Sequence, residues 1–218
     1  MKKIFTLVLL VFFIFSCSTP QKAFITDDIK YFNENNIEIS KTKFYEELSA
    51  NHLLSSAYIK EGLRFHKKLI LGRQEEGDIT NLPLFKNLIE TRTNQKLDDT
   101  KPIVIIYYPG KDPCNMSGTA TRKSKERSYN KLEKGLEEIA QIKPIYIYKD
   151  NDGLEDYESI SFYKDPDGMI ERLFFKEHYP CMSFVVVDKN GHFRSYFGEF
   201  PYEYVWETTK LMLDDKKL

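Results

Sequence analysis

Charge of one sign is what this chain most conspicuously lacks. Over 218 residues, 32 Lys and Arg face 33 Asp and Glu, a formal net charge of −1. With no basic face there is no electrostatic footprint for a polyanion, and nucleic acid is excluded from the expected partners. One short cationic run, Arg122-Lys123-Ser124-Lys125-Glu126-Arg127, reads as a solvated face at a helix start. Cysteine is scarce: Cys17, Cys114 and Cys181 are the only three. Neither Cys114 nor Cys181 has a close His or Cys partner at zinc-site spacing, so no metal and no cofactor are expected. His52, His66, His178 and His192 are scattered. Only His178 lies near a thiol, and it reads as a surface or core residue rather than a base for Cys181. The acidic stretch Asp150 to Asp156 fails the calcium-loop alternation, because the residue two before Asp150 is Tyr148, and it reads as a solvated turn.

Long apolar runs are also few, and the longest comes first. Lys2 and Lys3 precede an apolar stretch from Ile4 to Phe15 that meets Ser16-Cys17. A charged start, a short apolar centre and a small residue before the cut are the marks of a secretory signal. The stretch falls short of the roughly 20 residues of a membrane span. Ile14-Phe15-Ser16-Cys17 resembles the box of a bacterial lipoprotein signal. That resemblance implies cleavage before Cys17, acylation of Cys17 and attachment to a membrane through the N-terminal lipid. Residues 1–16 are then a signal peptide, and 17–34 the lipidated cysteine with its tether. The expected location is the extracytoplasmic side of a bacterial cell envelope. No acidic cluster follows Cys17 to mark outer-face display, so a periplasm-facing outer membrane is expected in a cell with two membranes.

Residues 35–218 form the expected single domain. Hydrophobic residues at 41%, with 14 Tyr and 16 Phe, supply an aromatic interior. Asn35 to Ser40 alternates as a short strand, and Phe44, Leu48 and Leu53-Leu54 follow at helical spacing. Arg64 to Leu71 reads as a strand ended by Gly72, and Gln74 to Asp78 as loop. Asn81 caps a helix carrying Pro83, Leu84, Phe85, Leu88 and Ile89. Pro102 to Tyr108 is a continuous β-branched and aromatic run, the pattern of a strand buried on both faces. A loop with Cys114 leads to a helix striped by Tyr129, Leu132, Leu136 and Ile139, and Ile145 to Tyr148 is the next strand, in a right-handed parallel crossover. Asp165 to Gly168 cap a short helix, Met169 to Phe175. Ser183 to Val187 and His192 to Phe197 are strands joined through Asp188-Lys189-Asn190-Gly191, where Asn-Gly favours a type I′ turn. A last helix runs from Tyr202 to about Leu213.

This order, with a buried strand entering a Pro/Cys loop and a hairpin followed by a helix at the end, resembles the thioredoxin-like superfamily over about residues 65–215. The fold expected is α/β, a thioredoxin-like three-layer sandwich on a central mixed sheet, with an N-terminal α/β extension. The family's Cys-x-x-Cys is absent: Lys111-Asp112-Pro113-Cys114 puts Lys111 in place of the first cysteine. The resemblance places a cis-proline loop before the penultimate strand, where Tyr179-Pro180-Cys181 lies. Pro180 is the candidate cis-proline, and Cys181 is brought toward Cys114. With Cys17 assigned to lipid, the remaining even pair in an oxidising compartment reads as a disulfide. Cys114 and Cys181 are thus a candidate redox pair of a thiol–disulfide oxidoreductase. Equally, they are a structural bond in a non-enzymatic module that binds an envelope protein. A third resemblance, Tyr108-Pro109 before Cys114, is to peroxiredoxins, with Cys181 as resolving thiol. Lys111 there replaces the hydroxyl residue expected three before the cysteine.

Overall fold

The computed structural model describes residues 29–61, 64–111, 121–157 and 159–213. In chain order the elements are β1 (Tyr31–Phe32), β2 (Glu38–Ile39), α1 (Lys41–Ala50), β3 (Leu54–Glu61), β4 (Arg64–Leu71), β5 (Gln74–Asp78), α2 (Leu82–Thr93), β6 (Ile103–Tyr108), α3 (Arg122–Ala140), β7 (Ile145–Tyr148), β8 (Phe162–Lys164), α4 (Met169–Phe174), β9 (Ser183–Val187), β10 (His192–Tyr196) and α5 (Tyr202–Leu213). The fold is mixed α/β, with two mixed sheets. No described helix is long and apolar enough to cross a membrane.

The six residues of β6 are all buried, because the strand runs through the middle of a sheet covered on both sides. Its side chains alternate between two cores. Ile103, Ile105 and Tyr107 join one face with Phe85 and Ile89 of α2 and Ile170 and Phe174 of α4. Val104 and Ile106 join the other with Leu132 and Leu136 of α3 and Val205 and Met212 of α5. Each fully buried Leu or Phe contributes about 1.5–3 kcal/mol. The six-stranded sheet has the order β5-β10-β9-β6-β7-β8. β6 and β7 are parallel, as the crossover through α3 requires, while β9 and β10 run antiparallel to their neighbours.

The helix ends follow local chemistry. Asn81 Oδ1 accepts from Leu84 N at 3.1 Å, and Thr121 Oγ1 accepts from Ser124 N at 3.2 Å. Asp165 accepts from the backbone of Ile170 and Glu171 at 2.9 and 3.0 Å, capping α4 as its sequence predicts. Burial nevertheless holds the Asp165 carboxyl above its usual range, outweighing those two bonds.

The second sheet, β2-β1-β4-β3, holds the N-terminal extension and also β4, which the resemblance over residues 65–215 places with the central sheet; β5 takes that place at the central sheet's edge. Ala57 and Ile70 carry it into the same core as β6 and α4. Here the sequence pattern misleads. The helix expected through Leu53-Leu54 stops at Ala50, and Leu54 opens β3, which pairs with all of β4. Gln74 to Asp78, expected as loop, is the edge strand β5, antiparallel to β10. Its polar residues suit an edge: Glu76 meets Arg194 at 3.2 Å and Asp78 meets His192 at 3.2 Å. Gly77 is required there, since a Cβ would come within 2.9 Å of the Phe193 ring. The β9–β10 turn is not type I′. Only Gly191 takes a positive φ, 95°, and its N–H donates to the Asp188 carbonyl at 3.2 Å. Asp188 Oδ1 organises the turn by accepting from Asn190 N and His192 N at 2.8 and 2.9 Å, giving a longer loop with a left-handed glycine.

Candidate functional site

The register of β6 against β9 positions the site. Tyr107 pairs with Ser183, so Cys181, just before β9, lies at the end of the sheet where the chain leaves β6. Cys181 is disulfide-bonded and holds a left-handed φ of 67°. The other cysteines, Cys17 and Cys114, lie outside the described residues. Lys111, at the head of the expected cysteine loop, is exposed, and its ammonium lies 4.0 Å from Asp152.

Cys181 lines an open cleft of about 230 Å³, together with Tyr108, Tyr129, Tyr157, Met182 and Tyr202. Tyr108, the last residue of β6, donates its hydroxyl to the Asp152 carbonyl at 2.8 Å. Tyr129 projects from α3, and its hydroxyl meets Met182 Sδ at 2.7 Å. Its ring stands edge-on to Tyr146 and Tyr157 at 5.5 and 5.7 Å. Lys125 places its ammonium 4.5 Å from the centre of the Tyr157 ring. Burial, reinforced by neighbouring tyrosines, holds the Tyr129 phenol well above its ordinary range. Tyr146 is raised by burial and by Glu133, which accepts its hydroxyl at 3.0 Å. Tyr129 and Tyr146 therefore stay protonated at physiological pH. The cleft offers aromatic faces beside the Cys181 sulfur.

Among the described residues no peptide bond is cis, so Pro180 is not the expected cis-proline. Instead the loop is fastened by ring stacking and by a close glycine. Tyr179 stacks on Phe197 at 4.6 Å and 14°, and Gly198 donates its N–H to Ser183 Oγ at 2.9 Å. His178 lines a separate, smaller pocket with Tyr107, Lys149, Glu171 and Ser183 rather than the Cys181 cleft. The tyrosine cluster is absent from the sequence reading because its members come from separate segments. High tyrosine content was the one signal of it. The chain matches no family model, no curated protein and no solved structure.

Proposed function

We propose that this is a lipid-anchored protein of the bacterial cell envelope whose domain follows the thioredoxin-like plan and acts through a redox-responsive disulfide between Cys114 and Cys181. The order β7-β6-β9-β10, parallel in its first pair and antiparallel in the others, supports that plan. So does the placing of α3 and α5 on one face and α4 on the other. The observation that carries the reading is the Tyr107–Ser183 register. It sets the bonded Cys181 at the same end of the sheet from which β6 departs toward Cys114. Cys181 is partly exposed and lines an open cleft, where an external thiol has access to the bond.

In this reading an incoming dithiol attacks the Cys114–Cys181 bond and passes through a mixed disulfide. Two electrons and two protons leave the dithiol, which becomes a disulfide, and two thiols are formed on the protein. The second thiol of the dithiol then displaces Cys114 and completes the exchange; with Lys111 where a second loop cysteine would stand, Cys181 is the protein's own thiol for the reverse step, which releases an unproductive mixed disulfide from Cys114. The test is the reduction potential of the mature domain. A value above about −300 mV supports a labile, exchanging bond, and a lower value marks a structural one. The second outcome would favour the other reading, a binding module that presents the tyrosine cleft to an envelope protein and uses the disulfide as a staple.

Anchoring has its own test. Cys17→Ser removes the acylated sulfur, and the protein is expected to move from the membrane pellet to the supernatant. Retention in the pellet after a high-salt wash would refute lipid anchoring.

A further inference from the structure

The four-stranded N-terminal sheet has no task in this reading. We infer that it braces the Cys181 loop, and that Lys68 is the positioning residue that sets how readily the Cys181 disulfide is reduced. The inference rests on the Cys114–Cys181 pairing proposed above.

Lys68 lies on β4 opposite Ala57, on the face that packs into the shared core, and only 10% of its side chain is exposed. An ammonium so placed needs an opposite charge. It finds Glu177, 109 residues later, with Nζ to Oε1 at 2.7 Å. Glu177 stands in the irregular segment between α4 and β9, shortly before Cys181. A second cation, in the link between β4 and β5, holds the chain that leaves β10. Arg73, just after β4, donates from Nε to the Phe197 carbonyl and from Nη2 to the Glu199 carbonyl, both at 2.7 Å. Its guanidinium also lies over Tyr196 at 4.7 Å. Gly198 is wedged between the two: a Cβ there would lie 2.9 Å from Arg73 Nη2 and 3.2 Å from the Pro180 carbonyl.

The two cations thus fix the chain before Cys181 and the chain packed against Pro180. Such fixing explains how Cys181 keeps a left-handed φ of 67°, which a residue with a Cβ holds only where its surroundings impose it. A buried ion pair adds little net stability, and its best-attested use is to set register. Register matters to a disulfide because the effective concentration of one thiol at the other decides its equilibrium with an external dithiol. With the brace in place, the reduced thiols stay close and the bond re-forms. Without it the segment before Cys181 is freer and the oxidised form is less favoured.

The experiment equilibrates the mature domain with dithiothreitol redox buffers and reads the fraction oxidised. Lys68→Met keeps length and apolar contact but removes the charge, and Glu177, the more exposed partner, is left to water. The equilibrium constant for the disulfide is expected to fall about tenfold, a potential about 30 mV less negative. Lys68→Arg, which keeps the pair, should stay close to wild type. The double variant Lys68→Met/Glu177→Gln leaves no unpaired charge and should match the single one, which covers a folding failure of Lys68→Met. Equal constants in wild type and in a natively folded Lys68→Met or double variant, with the Cys114–Cys181 bond intact, would overturn the brace and leave the function standing. Free Cys114 and Cys181 thiols in the oxidised wild-type protein would overturn both.

Discussion

Reduction of the Cys181 disulfide is expected to lower the unfolding free energy of the mature domain by about 4 kcal/mol, the chain-entropy value for cysteines 67 residues apart. The figure follows from Cys114 as partner, because the bond then ties β6 and the chain before β9 together in the unfolded state as well. Urea unfolding with and without a reductant measures it. Cys181→Ala should lose at least as much, and the backbone supplies an internal control. Position 181 sits at φ 67°, where a Cβ costs about 1–2 kcal/mol and glycine is at ease. Cys181→Gly is therefore expected to be the more stable of the two variants. A loss below 1 kcal/mol on reduction would show that the bond does not close this loop.

Gly135→Ala is expected to destabilise the protein by about 1–3 kcal/mol, against the gain of up to 1 kcal/mol that alanine brings to an open helix position. Gly135 faces Trp206 where α3 meets α5. A Cβ at position 135 would stand 2.2 Å from Cε2 and 2.4 Å from Nε1 of the indole. The ring cannot simply swing aside, since its Nε1 donates to the Leu132 carbonyl at 3.1 Å and Lys131 lies over it at 5.6 Å. Either the indole leaves that bond or the two helices separate, and both weaken the core of Leu132, Leu136 and Val205. Trp206 is the only tryptophan in the chain, so its fluorescence reports the change directly alongside urea unfolding. An unshifted spectrum with unchanged or higher stability would show that α3 and α5 reseat without cost.

Local sequence determined the elements that a buried sheet and its covering helices impose on themselves. Ile103 to Tyr108, six large β-branched or aromatic residues bounded by Pro102 and Pro109-Gly110, are too short a run for a buried helix and suit a strand covered on both faces. Leu132 and Leu136 lie on one stripe of α3, and the caps Asn81 and Asp165 mark their helices through side-chain oxygens that local spacing reveals, whereas the Thr121 cap of α3 is seen only in the structure. Tertiary structure decided the rest, where the stabilising partner is far away in sequence. Gln74 to Asp78 is a strand only because β10 supplies its hydrogen bonds, with Arg194 paired to Glu76 and the His192 ring beside Asp78. Leu54 to Glu61 leaves the helical pattern because β4 can pair with its full length. The same separation governs the site. Cys181 was legible as a thiol of interest, yet its cleft takes Tyr108 from β6, Tyr129 from α3, Tyr157 from a short helical turn and Tyr202 from α5. Lys68 and Glu177 reveal nothing until β4 meets the Cys181 loop, because an ion pair across 109 residues has no period for a sequence to display.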